Sequence, residues 1–280
     1  MIQIRGLTKT FGKFTAVDHL DLTIQTGEFF GLLGPNGAGK TTTISMLSTV
    51  LLPTSGQILI DGKVLDRKAA KEKRKLSVIT QEYSMRQDMT MDEVMEYQGR
   101  LYFLPKKVIR ERSDRLLEFA GLAEFRKRTV RHLSGGMKRK LMICRALLTQ
   151  PEILLLDEPT AGMDALSRRQ MWNMLRSINS GTMTIILTTH YIEEAQALCG
   201  RVALLNRGKL QKLDTPANLI DELGAFAVDE MIDGNLKTRY FHDRAEAIAC
   251  LSAGHEEAAL RATTLEDVFI ECAGTPINKA

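Results

Sequence analysis

The sequence predicts an α/β fold on a mostly parallel sheet, with antiparallel strands ahead of it, helices inserted into it and a small α+β appendage after it. Phe29 to Leu33, Ile153 to Leu156 and Met183 to Leu187 are short runs that are apolar on both faces, as strands covered on both sides must be. A polar loop and then a helical spacing of apolar residues follows each run. That order belongs to a parallel sheet whose strands are joined by helices. The third observation is the change of texture after Pro216.

Ile2/Ile4, Leu20/Leu22/Ile24 and Ile58/Ile60 alternate as half-buried strands, the last closed by the turn pair Asp61-Gly62. Thr90 and Glu93 have the spacing of a capping box and open a helix that ends before Pro105. A second helix carries Ile109, Leu116, Leu117 and Ala120 on one face and stops at Gly121. A third aligns Met137, Leu141, Cys144 and Leu148 and ends before Pro151. These three form a helical subdomain, about 88–150, within a first domain spanning 1–216. In the remaining 217–280, Phe226 to Ile232, Leu236 to His242 and Glu257 to Arg261 read as strands. Asp243 to Leu251 and Leu265 to Cys272 read as helices.

The 280 residues hold 38 basic and 34 acidic side chains, a net +4 that is too small to imply nucleic acid, and none is expected as a partner. The four cysteines show no metal-ligand or redox spacing. They read as reduced, buried residues of a cytosolic protein. Met1-Ile2-Gln3-Ile4-Arg5 lacks a signal-peptide pattern. No apolar run approaches the roughly 20 residues that cross a bilayer, so a membrane role would have to pass through a partner.

Gly34-Pro35-Asn36-Gly37-Ala38-Gly39-Lys40-Thr41 fits the phosphate-loop pattern G-x-x-x-x-G-K-[ST], between a strand and a helix as that motif requires. Glycines let backbone N–H groups turn inward around phosphate oxygens, and the helix N-terminus adds partial positive charge. Lys40 suits the β and γ phosphates and Thr41 suits Mg²⁺; Thr42 completes the candidate nucleotide contacts. Asp157 and Glu158 follow a buried strand, at the end that faces the ligand in open parallel sheets. Asp157 would hold Mg²⁺ through water, and Glu158 would orient and deprotonate an attacking water. The alternative is an acidic pair that merely caps a helix. Ser134, Gly135 and Gly136 open a second glycine-rich helix N-terminus, with Lys138, Arg139 and Lys140 crowded into its first turn. A helix dipole disfavours cations there, so a bound anion would relieve the conflict; a capped helix with a solvated basic face is the alternative. Two cradles with one phosphate loop point to a head-to-tail pair, each chain covering its partner's nucleotide.

In this order the phosphate loop, Gln81, Leu133-Ser134-Gly135-Gly136, Leu155-Leu156-Asp157-Glu158-Pro159, Ala161-Gly162-Met163-Asp164 and Leu187-Thr188-Thr189-His190 resemble the ATPase subunit of ATP-binding cassette transporters, over about Ile2 to Pro216. The resemblance implies a phosphate-loop NTPase core of that type and hydrolysis of ATP with Mg²⁺. It implies that Phe11 (or Phe14) stacks on adenine and that Gln81 senses the γ-phosphate and Mg²⁺. It also implies that Asp164 lies at a dimer interface and that His190 contacts the γ-phosphate. The expected partners are integral membrane permease subunits and a second copy of the cassette, placing the chain at the cytoplasmic face of the membrane. Departures from the family pattern are Met137 where Gln is common, Thr80 where Pro usually precedes Gln81, and Met163 where Leu is common. The tail Thr264-Leu265-Glu266-Asp267-Val268-Phe269-Ile270 resembles exporter subunits for drugs, lipids or polysaccharides. The rival readings are a ribosome- or DNA-associated cassette ATPase, a nucleotide switch without hydrolysis, and a small-molecule kinase. The single cassette, Glu158 with His190, and Leu133 to Met137 argue against them in turn.

Overall fold

The computed structural model describes residues 1–273 except 83, 180, 233 and 254–257. Two antiparallel strands, β1 (Ile2–Phe11) and β2 (Phe14–Ile24), lead to β3 (Phe29–Leu33), the phosphate loop and helix α1 (Lys40–Leu47). Next come β4 (Ser55–Ile60), β5 (Lys63–Val64), the one-turn α2 (Ala70–Lys73) and β6 (Leu76–Ile79). Three helices follow: α3 (Met91–Leu101), α4 (Lys106–Phe119) and α5 (Gly135–Leu147). The chain then alternates β7 (Ile153–Asp157), α6 (Ala165–Ile178), β8 (Thr184–Thr189), α7 (Ile192–Leu198), β9 (Arg201–Asn206) and β10 (Lys209–Asp214). It closes with α8 (Pro216–Leu223), β11 (Phe226–Ile232), β12 (Asn235–Phe241), α9 (Arg244–Ala253), β13 (Ala259–Ala262) and α10 (Leu265–Ala273).

The central sheet runs β10-β9-β3-β8-β7-β6, parallel except for β10 at its edge. The three runs that predicted it, β3, β8 and β7, are neighbours at its middle. Their alternation explains why both faces are apolar. Leu33, Leu154, Leu156, Ile185 and Leu187 face a core shared with the helices. Phe30, Leu32, Leu155 and Ile186 face a second core under the antiparallel sheet β2-β1-β4-β5. Each such side chain stabilises the fold by roughly 1.5–3 kcal/mol. Three strands of this sheet escaped the sequence reading. β6 is broken by Ser77 and β10 interleaves Lys and Asp because it is an edge, whereas β9 carries an apolar run, Val202 to Leu205, as long as that of β7 and was passed over.

The capping box forms as expected: Glu93 N–H donates to Thr90 Oγ1 at 3.3 Å while Thr90 N–H donates to the Glu93 carboxylate at 2.7 Å. The remaining strands form a sheet ordered β12-β11-β13. The predicted start of its last strand, Glu257, lies outside the described residues, and β13 begins at Ala259. Leu219 of α8 and Leu265 and Val268 of α10 are buried within the main core beside Val202 and Leu204 of β9.

Candidate nucleotide site

The register of the parallel strands decides where the chemistry lies. Leu33 pairs with Thr189, and Asp157 pairs with Thr188. The chain therefore leaves β3, β7 and β8 at the same edge, bringing the phosphate loop, Glu158 and His190 together. A cavity of about 650 Å³ opens there, lined by residues 34–42, Gln81, Glu158, His190, Phe14, Ala16 and Phe269.

Within the loop, Gly39 has φ 99° and its added Cβ would lie 2.4 Å from the Ala16 carbonyl oxygen. A Cβ at Gly34 would lie 2.4 Å from that of Leu205. Only glycine fits at either place. No side chain caps α1. Lys40, 6% exposed, donates from Nζ to the carbonyls of Gly34 at 2.7 Å and Pro35 at 3.1 Å. Burial pushes its pKa below the ordinary lysine value, while the charges of Glu158 and Asp157 push it back up.

Thr41 Oγ1 donates to Asp157 Oδ1 at 3.3 Å, and Thr188 Oγ1 donates to the same oxygen at 2.5 Å. This is a hard-oxygen set suited to Mg²⁺, which takes one or two protein oxygens and completes its shell with water and phosphate. Glu158 has φ 49° and is pinned by N–H bonds to the Thr188 carbonyl at 3.0 Å and hydroxyl at 3.2 Å. Its Oε1 lies 3.2 Å from His190 Nδ1. Acid and imidazole thus face the cavity as a contacting pair.

Other predicted residues lie elsewhere. Ser134, Gly135, Gly136 and Asp164 are not part of this cavity's lining. Ser134 caps α5 by accepting from Met137 N–H at 3.3 Å. Asp164 caps α6 by accepting from Ser167 N–H at 2.9 Å and from the Ser167 hydroxyl, bonds that hold its carboxyl below the usual range. Phe11 is 49% exposed, faces Phe14 across the β1–β2 turn and has the Lys9 ammonium 5.2 Å from its ring. Of the two rings, it is Phe14 that lines the cavity.

The expectation for Arg139 is overturned. It is no part of a crowded basic turn awaiting an anion, being only 2% exposed. Its guanidinium donates to the Thr80 carbonyl at 2.8 Å and the Gln81 carbonyl at 2.9 Å. Arg145, further along the helix, holds the Ser84 carbonyl at 2.7 Å. Helix α5 therefore grips the Gln81 loop. Thr80, in place of proline, also constrains that turn, since its hydroxyl donates to the Glu82 carbonyl at 3.0 Å. The sequence reading also passed over Glu194, a fully buried carboxyl whose pKa is raised by burial. It accepts from Thr160 Oγ1 at 2.9 Å and Trp172 Nε1 at 3.1 Å, joining the helix after His190 to the loop after Glu158. Polar residues at buried helix positions were the available signal for both.

Comparison with known proteins agrees with this geometry. The family described as ABC transporter matches residues 17–161. The Nod factor export ATP-binding protein I of Cupriavidus metallidurans is 36% identical over 98% of this chain and 97% of its own length. The daunorubicin resistance ATP-binding protein DrrA3 of Streptomyces coeruleorubidus is 35% identical over 98% and 96%. The linearmycin resistance ATP-binding protein LnrL of Bacillus subtilis is 37% identical over 82% and 74%. Among solved structures, a dimeric post-hydrolysis ATP-binding cassette bound to ADP and Pi superposes with a TM-score of 0.68 at 26% identity, covering 77% of this chain and 98% of that one. The cbiO1 component of an ABC transporter complex from Clostridium perfringens gives 0.72 at 27%, covering 79% and 90%. By sequence over nearly its whole length, and by fold, the chain belongs to the ABC transporter family as one of its ATPase cassettes.

Proposed function

We propose that this ATPase powers export by closing, with a second copy, around two ATP molecules and passing that closure to separate membrane subunits. The observation that carries the reading is the partition of parts. The phosphate loop, Glu158 and His190 share one cavity, while the second glycine-rich helix N-terminus stands outside it. In this reading Lys40 exchanges the Gly34 and Pro35 carbonyls for β and γ phosphate oxygens, and the α1 N–H groups face the phosphates. Thr41, Asp157 and Gln81 hold Mg²⁺, which when bound neutralises charge on the transferred phosphoryl group. Glu158 takes a proton from water, and His190, held against Glu158, contacts the γ-phosphate. Phe11 offers a ring face to adenine, with Phe14 at the rim. Ser134, Gly135 and Gly136 cover the partner's ATP, and Asp164 stands at the seam between the copies.

Export is supported by the names of the relatives, which are export and drug-resistance proteins. No helix among the described residues is long and apolar enough to cross a membrane. The reading accordingly gives the membrane path to permease subunits, with this chain peripheral at the cytoplasmic face. Tyr97, Leu101 and Phe103, all exposed on or next to α3, offer an apolar patch for such a partner.

The test is sedimentation with and without Mg-ATP. Glu158→Gln, expected to bind ATP and turn it over far more slowly, is expected to dimerise with Mg-ATP. Adding Ser134→Arg is expected to keep it monomeric while each monomer still binds ATP. Equal dimerisation of both proteins overturns the shared-site reading.

A further inference from the structure

The cavity at the sheet edge has one wall that the cassette motifs do not supply. Phe269, from α10 near the end of the chain, lines it together with the phosphate loop, Gln81, Glu158 and His190. The half-buried ring packs in part against the main core, in which its helix neighbours Leu265 and Val268 are locked at 0% and 1% exposure, and also lines the cavity.

The helix is held from two sides. On the cavity side, the Asn206 amide at the end of β9 donates to the Cys272 carbonyl at 3.4 Å. One residue earlier, the Leu205 carbonyl abuts Gly34, so closely that no side chain fits there. A short path of contacts thus links the first residue of the phosphate loop to α10. On the far side, Asp267 is 4% exposed and accepts from Arg261 at 2.7 and 2.8 Å. The same guanidinium reaches Asp229 of β11 at 2.6 Å. The Thr264 N–H and hydroxyl also donate to the Asp267 carboxylate, both to Oδ2, at 2.7 and 2.9 Å. Burial alone would raise the Asp267 pKa; these donors hold it below the usual value, so the charge network persists at neutral pH. A phenyl ring offers phosphate no N–H or O–H donor, so a contact from it beside an anion cradle acts by excluding water and shaping the wall against the ligand.

We infer that Phe269 contacts the bound nucleoside triphosphate, and that α10 relays occupancy of the cavity to the β12-β11-β13 sheet through Asp267 and Arg261. This rests on the nucleotide reading of the cavity. The appendage is then an element that responds to the ligand.

The experiment uses the full chain. Trp172 is the sequence's single tryptophan, so the emission difference between Phe269→Trp and the unsubstituted protein reports on position 269. Titration with Mg-ATP is expected to change that signal saturably, with a midpoint matching the Kd from calorimetry. Phe269→Ala is expected to raise KM for ATP by roughly fivefold, the loss of about one apolar contact, and by more than kcat falls; Phe269→Leu restores most of it. Arg261→Gln gives a smaller rise that does not add to that of Phe269→Ala. In the unsubstituted chain, Mg-ATP is expected to slow amide exchange in α10. A silent signal and unchanged α10 exchange while calorimetry shows ATP bound would overturn the inference. Absence of ATP binding by calorimetry in the unsubstituted chain brings down the nucleotide reading itself, and this inference with it.

Discussion

The N-termini of α1 and α5 are both glycine-rich, and they are built for different situations. At α1 the preceding glycine is left-handed, no side chain caps the helix, and a buried lysine sits inside the turn. At α5 a serine hydroxyl caps the first turn and two glycines keep the surface low. The first is walled in by its own chain, with Lys40 buried behind it; the second is open, and in the proposed reading it is completed by a partner's nucleotide. On the proposed reading, the same residue types make a cradle or a lid, depending on whether the chain walls them in.

The strongest way to break this comparison is to remove chemistry from the first site only. Glu158→Gln is expected to reduce ATP turnover by about 10²–10⁴, the worth of a general base, with ATP still bound by calorimetry. Ser134→Arg attacks the second site. Turnover is expected to fall at least about tenfold while ATP binding to the monomer changes less than about twofold, an effect on transition-state stabilisation of more than ~1.4 kcal/mol. Turnover within about twofold of the unsubstituted protein would reduce α5 to a capped helix.

Arg139→Met tests the strut between the two sites. Two carbonyls on exposed residues lose their donor and water can replace it, so the loss in stability is about 0.5–1.5 kcal/mol, measurable by urea unfolding. The Mg²⁺ concentration for half-maximal turnover is also expected to rise, because Gln81 is no longer held. Phe11→Ala is expected to weaken ATP binding by about 1–3 kcal/mol, the range for base–aromatic stacking, and Phe14→Ala by less. The reverse order would move the adenine platform to Phe14.

The smallest effect concerns pH. Burial lowers the Lys40 pKa from 10.5, and phosphate binding requires its charged form. The bound state therefore holds the proton more tightly than the free state. Affinity is expected to fall as pH rises through a value below 10.5, and Lys40→Arg should flatten that fall even if it binds more weakly.

Fixed-spacing motifs were legible because each is a local structure: Gly34 to Thr41 makes its own turn, and Asp157-Glu158 ends its own strand. The central strands were legible because both faces are buried, which leaves no polar position to confuse the reading. Strands at the sheet margin were not, since β10 alternates polar residues like a loop. Arg139 was misplaced because a charge in a helix is usually solvated, and its partners lie 58 and 59 residues away in sequence. Phe269 was missed for the same reason of distance. Its spacing fits an amphipathic helix equally well, and only the folded chain shows that it lines the cavity beside Gly34.

Glu158 holds a backbone conformation, φ 49°, that glycine adopts freely and that disfavours a side chain by about 1–2 kcal/mol. At this position the fold and the reaction ask for different residues. Glu158→Gly would relax the turn while removing the carboxylate, so on the proposed reading backbone ease and turnover move in opposite directions at this one residue.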